Sequence, residues 1–228
     1  MPKRRAAVAL TLPGLDPAPK AGPVSPQARA MCMRPGRTSR AAPAPKPWEC
    51  VLCVVDTAKV SGWAIGARGQ LRESGQHDTE LRPDLTAGVV ERAASLAKLL
   101  SLPVVLVLEA PYGGKTFMLV ALGVAKGRWL DAWKRAGQAA SRKVTVQPSV
   151  WRGPVLGSWA VGVKRDRVRA AELSMARGLV GRDDVGADEA AAVCIHHWAA
   201  HAPVVGERIG AKAVRKSMAA WSQRGGAR

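Results

Sequence analysis

The sequence predicts an α/β protein built on a mixed five-stranded sheet with helices packed against it. Three features predict this class. Several short apolar strands come early, strand and helix patterns then alternate, and one strand is apolar throughout. Strands followed by βα alternation are the signature of a sheet that is antiparallel in one part and parallel in another.

Taken in order, Cys50–Val55 is a wholly apolar run, which reads as a buried strand. Gly62–Ile65 continues into a second strand, with Ser61-Gly62 as the tight turn of the hairpin, where glycine tolerates positive φ. Leu71 onward forms a third strand. Thr86–Leu100 spaces its apolar residues by three and four, the mark of an amphipathic helix. Val104–Leu108 is the fully apolar strand, of the kind covered on both faces. Thr116–Ala136 is largely helical, Val144-Thr145-Val146 is a short strand closed by Pro148, and Arg165–Arg177 and Ala187–His201 complete the helices.

The flanks differ from this core. Residues 1–47 hold ten of the sixteen prolines and nine Lys/Arg against one acid, Asp16. Such a segment buries no core and reads as a flexible basic arm; an organelle transit peptide has a similar composition. The folded domain is expected over 48–205, with a second basic tail over 206–228. No apolar stretch is long enough to span a bilayer, and none has the uninterrupted centre of a signal peptide, so a soluble, cytoplasmic protein is expected.

The formal net charge of the 228-residue chain is +18. That balance points to a polyanionic partner, of which nucleic acid is the commonest. Four cysteines, Cys32, Cys50, Cys53 and Cys194, make no disulfide framework in a chain of this length. Cys50 and Cys53 have CxxC spacing, but three residues along a strand they face opposite sides and cannot share an ion. Adjacent His196 and His197 diverge by about 100° on a helix and suit one metal poorly. These cysteines are read as core thiols, and the eight tryptophans as core or interface side chains.

The stretch VVLVLEAPYGGKT (104–116) invites a nucleotide-binding reading. A phosphate-cradling loop requires glycine five residues before Gly114-Lys115, and that position is Glu109, a negative charge where phosphate would lie. No nucleotide cofactor is expected. The acids matter more. Asp56 and Glu109 each follow an apolar strand, and Asp183, Asp184, Asp188 and Glu189 cluster where the last helix opens. Singly, each has a structural explanation such as helix capping. Together, in a very basic protein, they form an oxygen-ligand set suited to Mg²⁺, which bridges substrate phosphates in phosphodiester cleavage.

Four segments resemble the RuvC-type Holliday junction resolvases, in that family's order. VLCVVDTAKVSGWAIG (51–66) is similar to its first hairpin, with the strand aspartate at Asp56. VLEAPYGGKTFMLVALGVAKGRW (107–129) is similar to its glutamate strand, loop and following helix. VQPSVWRGPVLGS (146–158) is similar to a further family segment, and KRDRVRAAELSMARGL with GADEAAAVCIHHWAA to its closing helices.

The resemblance covers about residues 50–201 and implies an RNase H-like fold with helices on both faces. It implies a homodimer that nicks four-way DNA junctions with two Mg²⁺ ions, for which Mn²⁺ substitutes, in a bacterial or phage-infected cell. It places metal ligands at Asp56, Glu109 and Asp188, a junction-stacking aromatic at Tyr112 with Phe117 as substitute, and basic residues at Arg152 and Lys164. Lys115 is added from its loop beside Glu109. One position departs from the pattern: Ala191 stands one helical turn after Asp188, where the family carries a second carboxylate. Either three carboxylates suffice, or Asp184 supplies the fourth, or the chain binds junctions without cutting them. Another RNase H-like activity, on branched DNA or RNA–DNA hybrids, is the alternative within enzymes.

Overall fold

A computed structural model describes residues 46–110, 116–160 and 163–210, with the side chains of 116–118 left out. Five strands form one sheet: β1 (Val51–Asp56), β2 (Val60–Ala67), β3 (Gln70–Asp78), β4 (Val104–Glu109) and β5 (Lys143–Val146). Their order across the sheet is β3-β2-β1-β4-β5. β1 pairs antiparallel with β2, and β2 with β3, whereas β1–β4 and β4–β5 are parallel. This is the mixed five-stranded sheet expected from the sequence.

Among the described residues six α-helices pack on this sheet: α1 (Pro83–Leu100), α2 (Thr116–Arg135), α3 (Pro148–Leu156), α4 (Arg165–Val180), α5 (Ala187–Ala199) and α6 (Pro203–Arg208). The two-residue period of the strands divides them between the faces. Val51, Cys53, Val55, Val104, Leu106 and Leu108 meet α1 and α2 through Val89, Val90, Trp129 and Trp133. Leu52, Val54, Val105 and Val107 meet α3, α5 and α6 through Trp151, Ile195 and Val205. Burial on both faces is why β1 and β4 read as continuous apolar runs.

Cys50 and Cys53 fall in opposite cores, and both are free thiols, as is Cys194. Burial pushes each thiol up to about 12, so all three stay protonated as core residues.

Three expectations change. The first concerns Ser61-Gly62, which is not a turn. β2 already begins at Val60, and Gly62 lies inside it, paired with Asp56. The positive-φ residues of this hairpin region are Arg68 and Gly69, between β2 and β3. Ser61 is buried; its hydroxyl donates to the Ala58 carbonyl at 2.8 Å and accepts from Trp129 Nε1 at 3.2 Å.

The second is α3, a helix over a segment read only as the close of β5. Pro148 opens it at a position where proline is favoured, while Gly153 and Pro154 inside it erase the helical signal. The third is α6, which runs through residue 206, where the basic tail was expected to begin. Trp48 ties the two ends of the described domain together, donating from Nε1 to the Ala202 carbonyl at 2.8 Å. Among the described residues no helix is long and apolar enough to cross a membrane.

Candidate active site

Parallel pairing creates the centre of the site. β1 and β4 run in register, Val55 beside Leu108, so the next residues, Asp56 and Glu109, emerge side by side at the carboxyl ends of the two strands. Both continue the alternation that points Val54 and Val107 at the α3–α5 face. The two carboxyl groups are near neighbours, each at the end of its strand. Burial, then the neighbouring Glu109 charge, raises the Asp56 carboxyl well above the usual carboxylate range, with Asp188 and Glu172 adding to the effect.

Each wall of the site comes from a different element. Thr57 donates its hydroxyl to the Glu109 carbonyl at 2.8 Å, tying the ends of β1 and β4. Trp151 of α3, fully buried, donates from Nε1 to Glu109 Oε1 at 2.8 Å and fixes that carboxylate. Asp188 enters from the first turn of α5. It gets close to the sheet because Gly62 has no side chain: a Cβ there would collide with the Asp188 carbonyl and carbon and sit 2.6 Å from the Glu189 amide nitrogen. Gly62 is paired with Asp56, so this contact brings the start of α5 down onto the strand that carries the first acid.

Asp188 is a quarter exposed and sits 3.4 Å from Arg169 of α4. Burial raises its carboxyl, against the lowering effect of Arg169 and Arg165.

A fourth acid lies here that carries no sequence signal. Glu172 sits mid-helix in α4, where a glutamate ordinarily faces solvent, yet it is 2 % exposed. Arg152 Nε donates to its Oε1 at 2.9 Å, and the Arg152 guanidinium lies over the Trp151 ring at 5.2 Å. Burial raises the Glu172 carboxyl; Arg152 opposes that, and the Glu109 charge adds to it. The contact Arg152–Glu172 is tertiary, between α3 and α4, which is why spacing along the chain does not reveal it.

The other expected site residues divide. Asp184 does not join the acids: its side chain is 80 % exposed and pairs with Arg182 at 2.8 Å, which lowers its pKa. It lies in the loop before α5 with its side chain at the surface. Glu189 is buried on the far side of the same turn, bonded to Ser74 at 2.6 Å and to Arg182, and pins α5 to β3. Arg152 reaches the site but is engaged with Glu172 rather than standing free. Lys164 is exposed immediately before α4. Ala191 is buried one turn after Asp188. Tyr112 and Lys115 lie outside the described residues, as does the Phe117 side chain in the first turn of α2.

The donors suit a hard divalent cation in kind, since all are carboxylate oxygens and two of them end adjacent parallel strands. They do not yet close around one: among the described residues no three acidic, histidine or cysteine side chains are gathered tightly enough to grip a single ion. Asp56 and Glu109 form the nucleus, and Asp188 is turned toward Arg169.

A mixed α/β sheet with acids at the ends of its two central parallel strands defines the structural class. No family model matches the sequence, and no curated protein matches it. Among solved structures, the chain is similar to Thermus thermophilus RuvC in complex with a Holliday junction substrate, at 16% identity and TM-score 0.48, covering 71% of this chain and 97% of that one. Thermus thermophilus RuvC alone gives 16% identity and TM-score 0.47 over the same shares. The yeast mitochondrial Holliday junction resolvase Ydc2 gives 9% and 0.40, covering 79% and 89%.

Proposed function

We propose that the chain is a metal-dependent, structure-selective endonuclease acting on four-way DNA junctions as a homodimer. The observation that carries this reading is the pairing in register of β1 and β4, which sets the Asp56 and Glu109 carboxyls side by side at the ends of adjacent parallel strands in a protein of charge +18. Burying like charges together is costly unless a proton or a cation intervenes, and a divalent ion replaces that proton. The four-segment resemblance to RuvC-type resolvases narrows the substrate from nucleic acid to branched DNA.

Asp56 and Glu109 would hold the ion, with Asp188 completing the set by leaving Arg169. Bound there, Mg²⁺ or Mn²⁺ supplies a nucleophilic water and stabilises the leaving oxygen of the phosphodiester. Trp151 keeps Glu109 in one orientation by its single hydrogen bond. Arg169, released from Asp188, is placed to meet a phosphate oxygen, with Arg165 beside it and exposed Lys164 at the same end of α4. The basic arm over 1–47 and the tail beyond 206 add sequence-independent contacts to the DNA backbone.

Ala191 favours one second reading, a junction-binding protein that has lost cleavage. A panel of four-way, flap, duplex and RNA–DNA hybrid substrates with Mg²⁺ separates the alternatives. Nicking confined to the four-way junction is expected. Cleavage of the hybrid instead would move the chain to another RNase H-like activity, and tight junction binding without nicking would establish the second reading.

A further inference from the structure

We infer that Glu172 supplies the carboxylate that position 191 lacks, acting as an additional metal ligand of the site and held in reserve by Arg152. The inference rests on the metal-dependent reading above and extends it to a residue outside the family's motif positions.

The geometry forms one connected chain. Glu109 accepts from Trp151 at 2.8 Å, the next residue, Arg152, lies over the Trp151 ring, and Arg152 bonds Glu172 at 2.9 Å. Glu172 is therefore linked to Glu109 through Arg152 and Trp151, on the same face of the sheet. It also packs on α5 next to the vacant ligand position: Cys194, one turn after Ala191, has its Sγ 3.6 Å from the Glu172 carbonyl.

A purely structural salt bridge between α3 and α4 would have no need of this location. A buried glutamate beside two further acids is costly, and hydrophobic residues of like volume fill such a site at least as well. With Ala191 removing one negative charge from α5 and Glu172 adding one from α4, the carboxylates available to the site number four, two of them, Asp188 and Glu172, paired with Arg169 and Arg152 until they turn to a cation. Arg152 neutralises the fourth until a cation arrives, and then exchanges Glu172 for a DNA phosphate. This makes the Arg152–Glu172 pair a positioning device that couples metal occupancy to a free guanidinium beside the substrate.

The test is Mn²⁺ titration of the full chain without DNA, followed by electron paramagnetic resonance of the free ion, with circular dichroism melts to verify folding. Glu172→Gln should weaken Mn²⁺ binding at least tenfold. Because Glu172→Gln alone leaves Arg152 without its partner, the double variant Arg152→Gln/Glu172→Gln is measured beside it, and should show the same loss. Adding Ala191→Asp to either should restore affinity to within a few-fold of the wild type.

Mn²⁺ affinity unchanged within twofold in the folded double variant, with the wild type binding normally, would overturn the inference and leave the nuclease reading standing. No Mn²⁺ binding by the wild type at millimolar concentrations would overturn both. Loss without rescue by Ala191→Asp would assign Glu172 to packing and also overturn it.

Discussion

Replacing Gly62 with alanine puts a methyl group where the backbone of α5 already lies. The added carbon would be 2.6 Å from the Glu189 nitrogen and nearer still to the Asp188 carbonyl, whereas ordinary contact begins at 3.4 Å. These are backbone atoms at the start of a helix whose inner face is packed in the core, so no side chain can swing away to relieve the clash. The start of α5 must withdraw by about 1 Å or more. Overpacking of this kind costs about 1–3 kcal/mol, and a domain of this size loses roughly 2–4 °C in Tm per kcal/mol, so a fall of about 2–12 °C is expected.

The functional loss should be larger. A displacement of about 1 Å at a reacting group costs on the order of 10²-fold in rate, and Asp188 is the residue displaced. The assay pairs a thermal melt with single-turnover nicking of a synthetic four-way junction in Mg²⁺. Gly62→Ala with the wild-type melting temperature and the wild-type rate would refute the claim that the close approach of α5 to β2 positions Asp188.

Three other outcomes follow from the same structure. Trp151→Phe removes the hydrogen bond to Glu109 while keeping most of the ring volume; nicking should fall by about tenfold or more, roughly 1.4 kcal/mol of barrier, with junction affinity unchanged, and an unaltered rate would show that Glu109 needs no such tether. His196 is buried with its Nε2 unpartnered, and burial lowers its pKa from 6.5 to about 4. The unfolded chain therefore takes up a proton that the fold refuses, so stability is lost as pH falls from 6.5 toward 4, by up to about 3 kcal/mol. Urea unfolding across that range should show a shallower acid loss for His196→Met, and parallel curves would count against this origin. Deleting residues 1–47 should weaken DNA binding and flatten its dependence on log salt, since nine cations release counterions on contact; identical slopes would exclude the arm as a DNA contact.

Much of this architecture is legible because burial writes itself into strands. The apolar runs ending at Asp56 and Glu109 mark both the two central strands and the acids at their ends, and helical spacing marks α1, α4 and α5. What is not legible depends on contacts across the sheet. Gly62 looks like turn chemistry until the approach of α5 gives it another purpose. Glu172 looks like a solvated helix residue until α3 covers it, and α3 itself is masked by Gly153 and Pro154, which its packing through Trp151 overrides. Asp184 shows the reverse case: four residues before Asp188 in sequence, it does not sit one helical turn before it in space, because α5 begins only at Ala187.

The central claim is that Asp56 and Glu109 do chemistry and not merely packing. Its most direct test measures binding and cleavage of one four-way junction by the wild type, Asp56→Asn and Glu109→Gln under the same Mg²⁺ concentration. Both substitutions keep size and hydrogen-bonding capacity and remove only the charge that would hold a cation. The account predicts nicking reduced below detection with junction affinity equal to or tighter than the wild type; nicking by either variant at the wild-type rate would contradict it.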